Sequence, residues 1–251
     1  MNQYLLLAVG LTVITFFSTS AGGLIAIKLR RDLFLFLAFA AGALIGVTFF
    51  DILPGAVLIL TDLQLIPQLL DFVMLSVVLG FLYYHVTQRG LAMHSHRRAI
   101  HGDDAPASIG YVGATGLTIH SFFDGFGIGT SLQAGLQVGL LIALGVIMHD
   151  FSDGLNTVTV MLRSKAKRSH TIGFLLADAG SPILGALVGA SFAFPEQLLA
   201  FILAFFAGEF LSIGASDLLP EADARGTSWR IILLTIAGVF FVFLLTRLAQ
   251  F

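Results

Sequence analysis

One pattern occurs twice in this sequence, first as His120-Ser121-Phe122-Phe123-Asp124-Gly125 and again as His149-Asp150-Phe151-Ser152-Asp153-Gly154. In each copy a histidine precedes an aspartate by four residues, a spacing that stacks both side chains on one face of a helix about one turn apart. Two neighbouring helices built this way offer two imidazoles and two carboxylates to a shared point. Asp150, three residues before Asp153, can reach inward as well. The chain has no cysteine, so thiolate sites, disulfides and thiol catalysis are excluded. Imidazole nitrogen beside carboxylate oxygen suits zinc and similar first-row divalent ions, whereas oxygen ligands alone would point to Mg2+ or Ca2+. A lone His-x-x-x-Asp is ordinarily an intrahelical hydrogen bond. Two copies on adjacent apolar helices favour a metal.

The elements that must position these residues are membrane helices. Hydrophobic residues make up 57% of the 251-residue chain and charged residues 11%, far from the roughly 25% charged of a soluble domain, and the mean hydropathy is +0.95. Eight apolar stretches are long enough to span, with limits near 4–27, 34–58, 68–87, 108–131, 137–162, 170–193, 197–219 and 229–248; a hydrocarbon core of about 30 Å takes about 20 helical residues. The first run continues to Ile27 and has no basic residue ahead of it, so an uncleaved helix is expected in place of a signal peptide. Lys28, Arg30, Arg31, Arg89, Arg97, Arg98, Arg163, Lys165, Lys167, Arg168, Arg225 and Arg230 all fall on one side of this layout, 12 of the 13 basic residues. That side is cytoplasmic by the positive-inside rule, and both termini face outward. The expected fold is an all-α integral membrane protein, one eight-span domain over 1–251.

The spans carry Asp51, Asp124, Asp150, Asp153, Asp178, Glu209 and Asp217, and no lysine or arginine stands away from a span end to pair with them. An ionised acid at mid-bilayer costs about 2.5–3.5 kcal/mol, so four bare central aspartates would oppose insertion by roughly 10 kcal/mol. Protons or bound cations must compensate. Asp178 precedes Ser181-Pro182 by a turn, and a proline inside a helix frees a carbonyl. Asp51-Ile52-Leu53-Pro54 in span two is echoed by Asp217-Leu218-Leu219-Pro220 in span seven, as an inverted repeat would produce. On that reading Asp51 lies toward the outer mouth of a path and Asp217 toward the inner one. The longest polar segment, about 87–107, carries His94, His96 and His101 with Asp103 and Asp104. It is expected to be a flexible cytoplasmic loop able to hold a metal loosely.

Taken together, these residues resemble the Zrt-/Irt-like (ZIP) divalent metal transporters. The two His-x-x-x-Asp-Gly copies match the family's span-four and span-five motifs, with Ser121 where an asparagine is usual. Asp217-Leu218-Leu219-Pro220-Glu221-Ala222 is similar to the span-seven motif. The resemblance implies a two-metal site in an inverted-repeat bundle. His120, Asp124, His149 and Asp153 would hold the first ion, and Asp124 and Asp153 would bridge to a second completed by Asp150. Ser121 occupies a ligand position of the motif. Asp178 stands in for the glutamate usual before the span-six proline, here Ser181, and Glu221 joins Asp51 and Asp217 along the path. Import of zinc, with Fe2+, Mn2+ and Cd2+ also compatible, by a homodimer in the plasma or inner membrane is what the family would do. The metal is cargo, with no catalytic cofactor.

The competing reading is an intramembrane zinc hydrolase of the ceramidase-like type, with Asp150 as base on a metal-bound water. Against an enzyme stand the two intramembrane histidines, too few for such a site, and the acids that continue along other spans. No Gly-Lys-Ser/Thr phosphate loop is present, which argues against ATP-driven pumping by this chain alone. The basic residues are short loop flanks, so nucleic-acid binding needs no invoking.

Overall fold

In the computed structural model, which describes residues 3–28, 34–100, 107–224, 226 and 228–249, the described chain is helical apart from short turns. Eight long helices follow one another: α1 (Gln3–Lys28), α2 (Phe34–Asp62), α3 (Leu70–Ile100), α4 (Ala107–Ala134), α5 (Leu136–Arg163), α6 (Arg168–Ser191), α7 (Glu196–Asp223) and α8 (Trp229–Ala249). Seven of them, all but α4, are long and apolar enough to cross a membrane. The chain is thus a multi-pass helical membrane protein. α4 has the length, 28 residues, but its glycines, serines, threonines and His120 dilute its apolar character.

The bundle turns apolar side chains outward and keeps a set of acids and histidines inside, among a largely apolar core. Phe17, Leu24, Leu184 and Phe240 face outward, while Asp124, His149, Asp150, Asp178 and Glu209 are fully buried. Such an arrangement suits lipid, which demands no polar surface and supplies no hydrogen bonds.

Helix pairing divides the bundle into two units, α1, α4, α5 and α6 in one and α2, α3, α7 and α8 in the other, with dense packing inside each and sparse packing between them. Within the first unit α4 crosses α6 and α1 crosses α5; within the second α2 crosses α8 and α3 crosses α7. Exchanging α1 with α6, α2 with α7, α3 with α8 and α4 with α5 carries each pair into the other pair of its unit. Each crossing is sealed by reciprocal glycines. Gly125 lies against the Pro182 carbonyl and Gly185 against that of Phe122, while Gly22 and Gly154 meet the carbonyls of Phe151 and Thr19. Gly42 with Gly238, and Gly80 with Gly208, do the same in the second unit. Small residues permit this approach, and close packing is what holds helices together in lipid. Gly185 is therefore occupied inside the chain, as is Gly189 against Phe126.

The two Asp-x-Leu-Pro tetrads share a local geometry. α2 widens into a π-helical turn at Thr48–Ile52 and α7 at Ile213–Leu218, each just ahead of its proline. Leu53 N–H accordingly bonds the Thr48 carbonyl and Leu219 N–H that of Gly214, five residues back. Proline has no N–H and its ring crowds the carbonyl four residues earlier, and a wider turn relieves that crowding.

Only Gly135 separates α4 from α5. Its φ of 151° and ψ of 149° lie in a region open essentially to glycine alone, so the hairpin that aligns the two motifs turns on one residue. Gln133 fastens the end of α4 to α6, its Nε2 donating to the carbonyls of Gly189 and Phe192, both at 2.8 Å.

The segment expected to be a loop from about 87 differs. α3 continues through Ile100, because 87–100 contains no proline and a single glycine, and a helix leaving the bilayer has no reason to stop there. His94 and His96 lie on that helical backbone, with their side chains outside the described residues, and His101, Asp103 and Asp104 lie outside them altogether.

Candidate metal site

α4 and α5 deliver their motifs to one point. Ligand atoms of His120, Asp124, His149 and Asp153 all lie within 4.8 Å of one another, and all four residues are buried. Asp124 Oδ2 stands 3.3 Å from His120 Nε2 and 3.4 Å from His149 Nε2. Asp153 Oδ2 lies 3.6 Å from His149 Nε2 and 3.9 Å from His120 Nε2. Charge-assisted hydrogen bonds are shorter, about 2.7–2.9 Å. Zinc bonds of about 2.0–2.1 Å in tetrahedral array, by contrast, set neighbouring ligand atoms roughly 3.3 Å apart. Asp124 stands at that spacing from both imidazoles, and Asp153 a few tenths of an ångström farther off.

The atoms that face the common point also lack other partners. Nε2 of both histidines, both oxygens of Asp124 and Oδ2 of Asp153 are buried without a hydrogen bond, a costly state unless a further group completes it. The opposite nitrogens are oriented: His149 Nδ1 donates to the Gly145 carbonyl at 3.0 Å, and His120 Nδ1 faces Glu209 Oε1 at 3.2 Å. Both Nε2 atoms are thus left to bind. Phe210 packs on the His149 ring at 5.7 Å and Tyr84 on that of His120 at 5.1 Å, which completes an apolar wall.

The motif glycines have a structural cause. Gly125 and Gly154, each next to a site aspartate, are the positions where α4 meets α6 and α5 meets α1. The same residues that follow the ligands thus seat their helices.

The family model described as ZIP zinc transporter matches residues 102–248, more than half of the chain and all of α4 to α8 except its last residue. The chain belongs to the ZIP zinc transporter family. Human zinc transporter ZIP10 is 30% identical over 138 residues, which make up 51% of this chain and 17% of that protein. Zinc transporter ZIP13 of Pongo abelii is 28% identical over 140 residues, 52% of this chain and 42% of the relative. Zinc transporter foi of Drosophila melanogaster is 24% identical over 121 residues, 48% of this chain and 17% of the relative. The chain therefore spans less than half the length of these ZIP relatives. Each is a transporter by name, and none is named as a hydrolase.

The other residues singled out in this ZIP chain fall at varied distances from the cluster. Asp150 adjoins it, with Oδ1 3.7 Å from His149 Nε2 and Oδ2 accepting from Thr19 Oγ1 at 3.3 Å. Ser121 and Asp178 meet each other: Ser121 Oγ donates to Asp178 Oδ1 and Thr157 Oγ1 to its Oδ2, both at 2.7 Å. Ser181 does not turn to the site but donates to the Thr118 carbonyl at 2.7 Å. Asp51 is buried in the α2 π turn with Oδ2 unpartnered. Asp217, in the π turn of α7, accepts from Tyr84 at 2.6 Å, and Glu221 is exposed in the last turn of α7. Glu209 was visible in the sequence only as one more unpaired membrane acid; its place behind His120 comes from the packing of α7 on α4.

Proposed function

We propose that this chain carries divalent transition-metal cations, zinc foremost, across the membrane toward the cytoplasm, as a transporter and not an enzyme. The observation that supports this best is the cluster of four unpartnered ligand atoms within 4.8 Å of one another, where α4 meets α5. Fe2+, Mn2+ and Cd2+ are cargo that the same donors accommodate. α4 supplies the eighth span, with both termini outside and the basic loop residues in the cytoplasm. The reciprocal helix pairs and paired π turns support an inverted repeat, in a single eight-span domain of the cell membrane that pairs as a homodimer.

An ion arriving past Asp51 sheds water and binds His120, Asp124, His149 and Asp153 as they lose protons. Asp124 and Asp153 bridge to a second ion completed by Asp150. Ser121 and Asp178 join that second position by turning from their mutual hydrogen bond. Displacement of the α1, α4, α5, α6 unit against its counterpart then opens the site toward Asp217 and Glu221. His94, His96 and His101 hold metal loosely on the cytoplasmic side. The test is zinc flux into vesicles reconstituted with purified protein. Asp124→Asn and Asp153→Asn should abolish flux while retaining helical circular dichroism and a monodisperse elution profile. Flux in either variant equal to that of the unsubstituted chain would refute the reading.

A further inference from the structure

The Nδ1 atoms of the two site histidines face acceptors of different standing. His149 Nδ1 donates to Gly145 of its own helix at 3.0 Å, so its ring orientation travels with α5. His120 Nδ1 instead faces a carboxylate, Glu209 Oε1, at 3.2 Å. Glu209 belongs to α7, in the unit that does not carry the two His-x-x-x-Asp motifs. It is fully buried, and neither of its oxygens has a hydrogen-bond partner. A carboxylate in an apolar helix opposes insertion, and packing alone gives no reason to keep one at this position.

We propose that Glu209 is a positioning residue that accepts the Nδ1 hydrogen of His120 across the boundary between the two helix units, so that Nε2 is the nitrogen offered to the ion. The identity of the ion rests on the transport reading above. A carboxylate behind a ligating imidazole fixes its tautomer and ring orientation and raises its basicity, an effect of about 10–100-fold in metal affinity. Tyr84, the aromatic neighbour of His120 at 5.1 Å, also belongs to the second unit, on α3. His120 is therefore held in its binding orientation only while the two units keep this arrangement. His149 keeps its own through any relative displacement. One ligand is permanent and the other conditional, and the site loosens its grip when the units part.

The experiment uses the full chain in nanodiscs, labelled with 15N-histidine and free of metal, followed by zinc titration calorimetry. Long-range 1H–15N spectra should show both His120 and His149 with the hydrogen on Nδ1. In Glu209→Ala the His120 signal should move toward the other tautomer, the His149 signal should stay, and zinc affinity should fall about tenfold or more. Glu209→Gln keeps an acceptor oxygen and should restore both the tautomer and an affinity near that of the unsubstituted chain. Should Glu209→Ala not fold, Glu209→Met, of similar length and without an acceptor oxygen, serves in its place. An unmoved His120 tautomer, or an unchanged zinc affinity, in the acceptor-free variant overturns the proposal. An unsubstituted chain that binds no zinc would instead sink the transport reading, while the tautomer comparison still decides the role of Glu209.

Discussion

Replacing Gly125 with alanine tests whether the motif glycine serves packing or binding. A Cβ built there meets the backbone carbonyl of Pro182 well inside the 3.0 Å that real side-chain carbons keep from their neighbours, and a carbonyl on a helix cannot swing away as a side-chain end would. α4 and α6 must separate. Overpacking of this kind costs about 1–3 kcal/mol, offset by up to about 1 kcal/mol of improved helix propensity. A net loss of about 1–2 kcal/mol lowers the melting midpoint by roughly 2–8 °C in a chain of this size. α6 donates nothing to the four-ligand cluster, so pushing α4 away from it shifts His120 and Asp124 relative to the pair on α5, and zinc affinity should drop too. The control is Gly173→Ala, on α6, where no atom lies within 4 Å of the new Cβ and the change should stabilise by up to about 1 kcal/mol. Thermal melts of both variants in one detergent, with zinc titration alongside, supply the comparison. A Gly125→Ala protein as stable and as tight for zinc as the Gly173→Ala control would refute the close-approach account.

Gly135→Ala should destabilise for another reason: nothing lies within 4 Å of the added carbon, and the loss of about 1–3 kcal/mol comes from backbone conformation alone, to be read from the same melts. Tyr84→Phe removes the 2.6 Å hydrogen bond to Asp217 and should cost about 1–2 kcal/mol for a partly buried side-chain bond. A double-mutant cycle with Asp217→Asn should return most of that as coupling, and additive losses would show that the two residues act separately. Zinc binding should weaken as pH falls, because protons compete for the same imidazoles and carboxylates, by about tenfold per pH unit for each proton released. Calorimetry in buffers of different ionisation enthalpy counts those protons, and buffer-independent heats would exclude the competition.

Much of this molecule follows from local patterns that a sequence carries openly. A long apolar run has few alternatives to a membrane helix, since lipid leaves the backbone no other way to satisfy its hydrogen bonds. The i, i+4 spacing of His120 with Asp124, and of His149 with Asp153, fixes which side chains share a face before any contact is known. The echo of Asp51 to Pro54 in Asp217 to Pro220 likewise reappears as a pair of π turns, because the proline that causes each distortion is itself in the sequence. The end of α3 was less legible: polar composition signals where lipid stops, which is not where helical hydrogen bonding stops.

What remained hidden depends on which helix faces which. Asp178 reads in the sequence as a ligand to an ion, and only the packing of α6 shows that Ser121 and Thr157 hydrogen-bond both its oxygens. Glu209 looked like one more stranded acid, yet α7 sets it behind His120. The sequence by itself determined the membrane class, the helical faces and the chemistry of the ligands, because these depend on residues a turn or a span apart. Only the tertiary structure decided which acids meet at the imidazoles and which are satisfied elsewhere, because close crossings between helices far apart in the chain, at glycine after glycine, set that geometry.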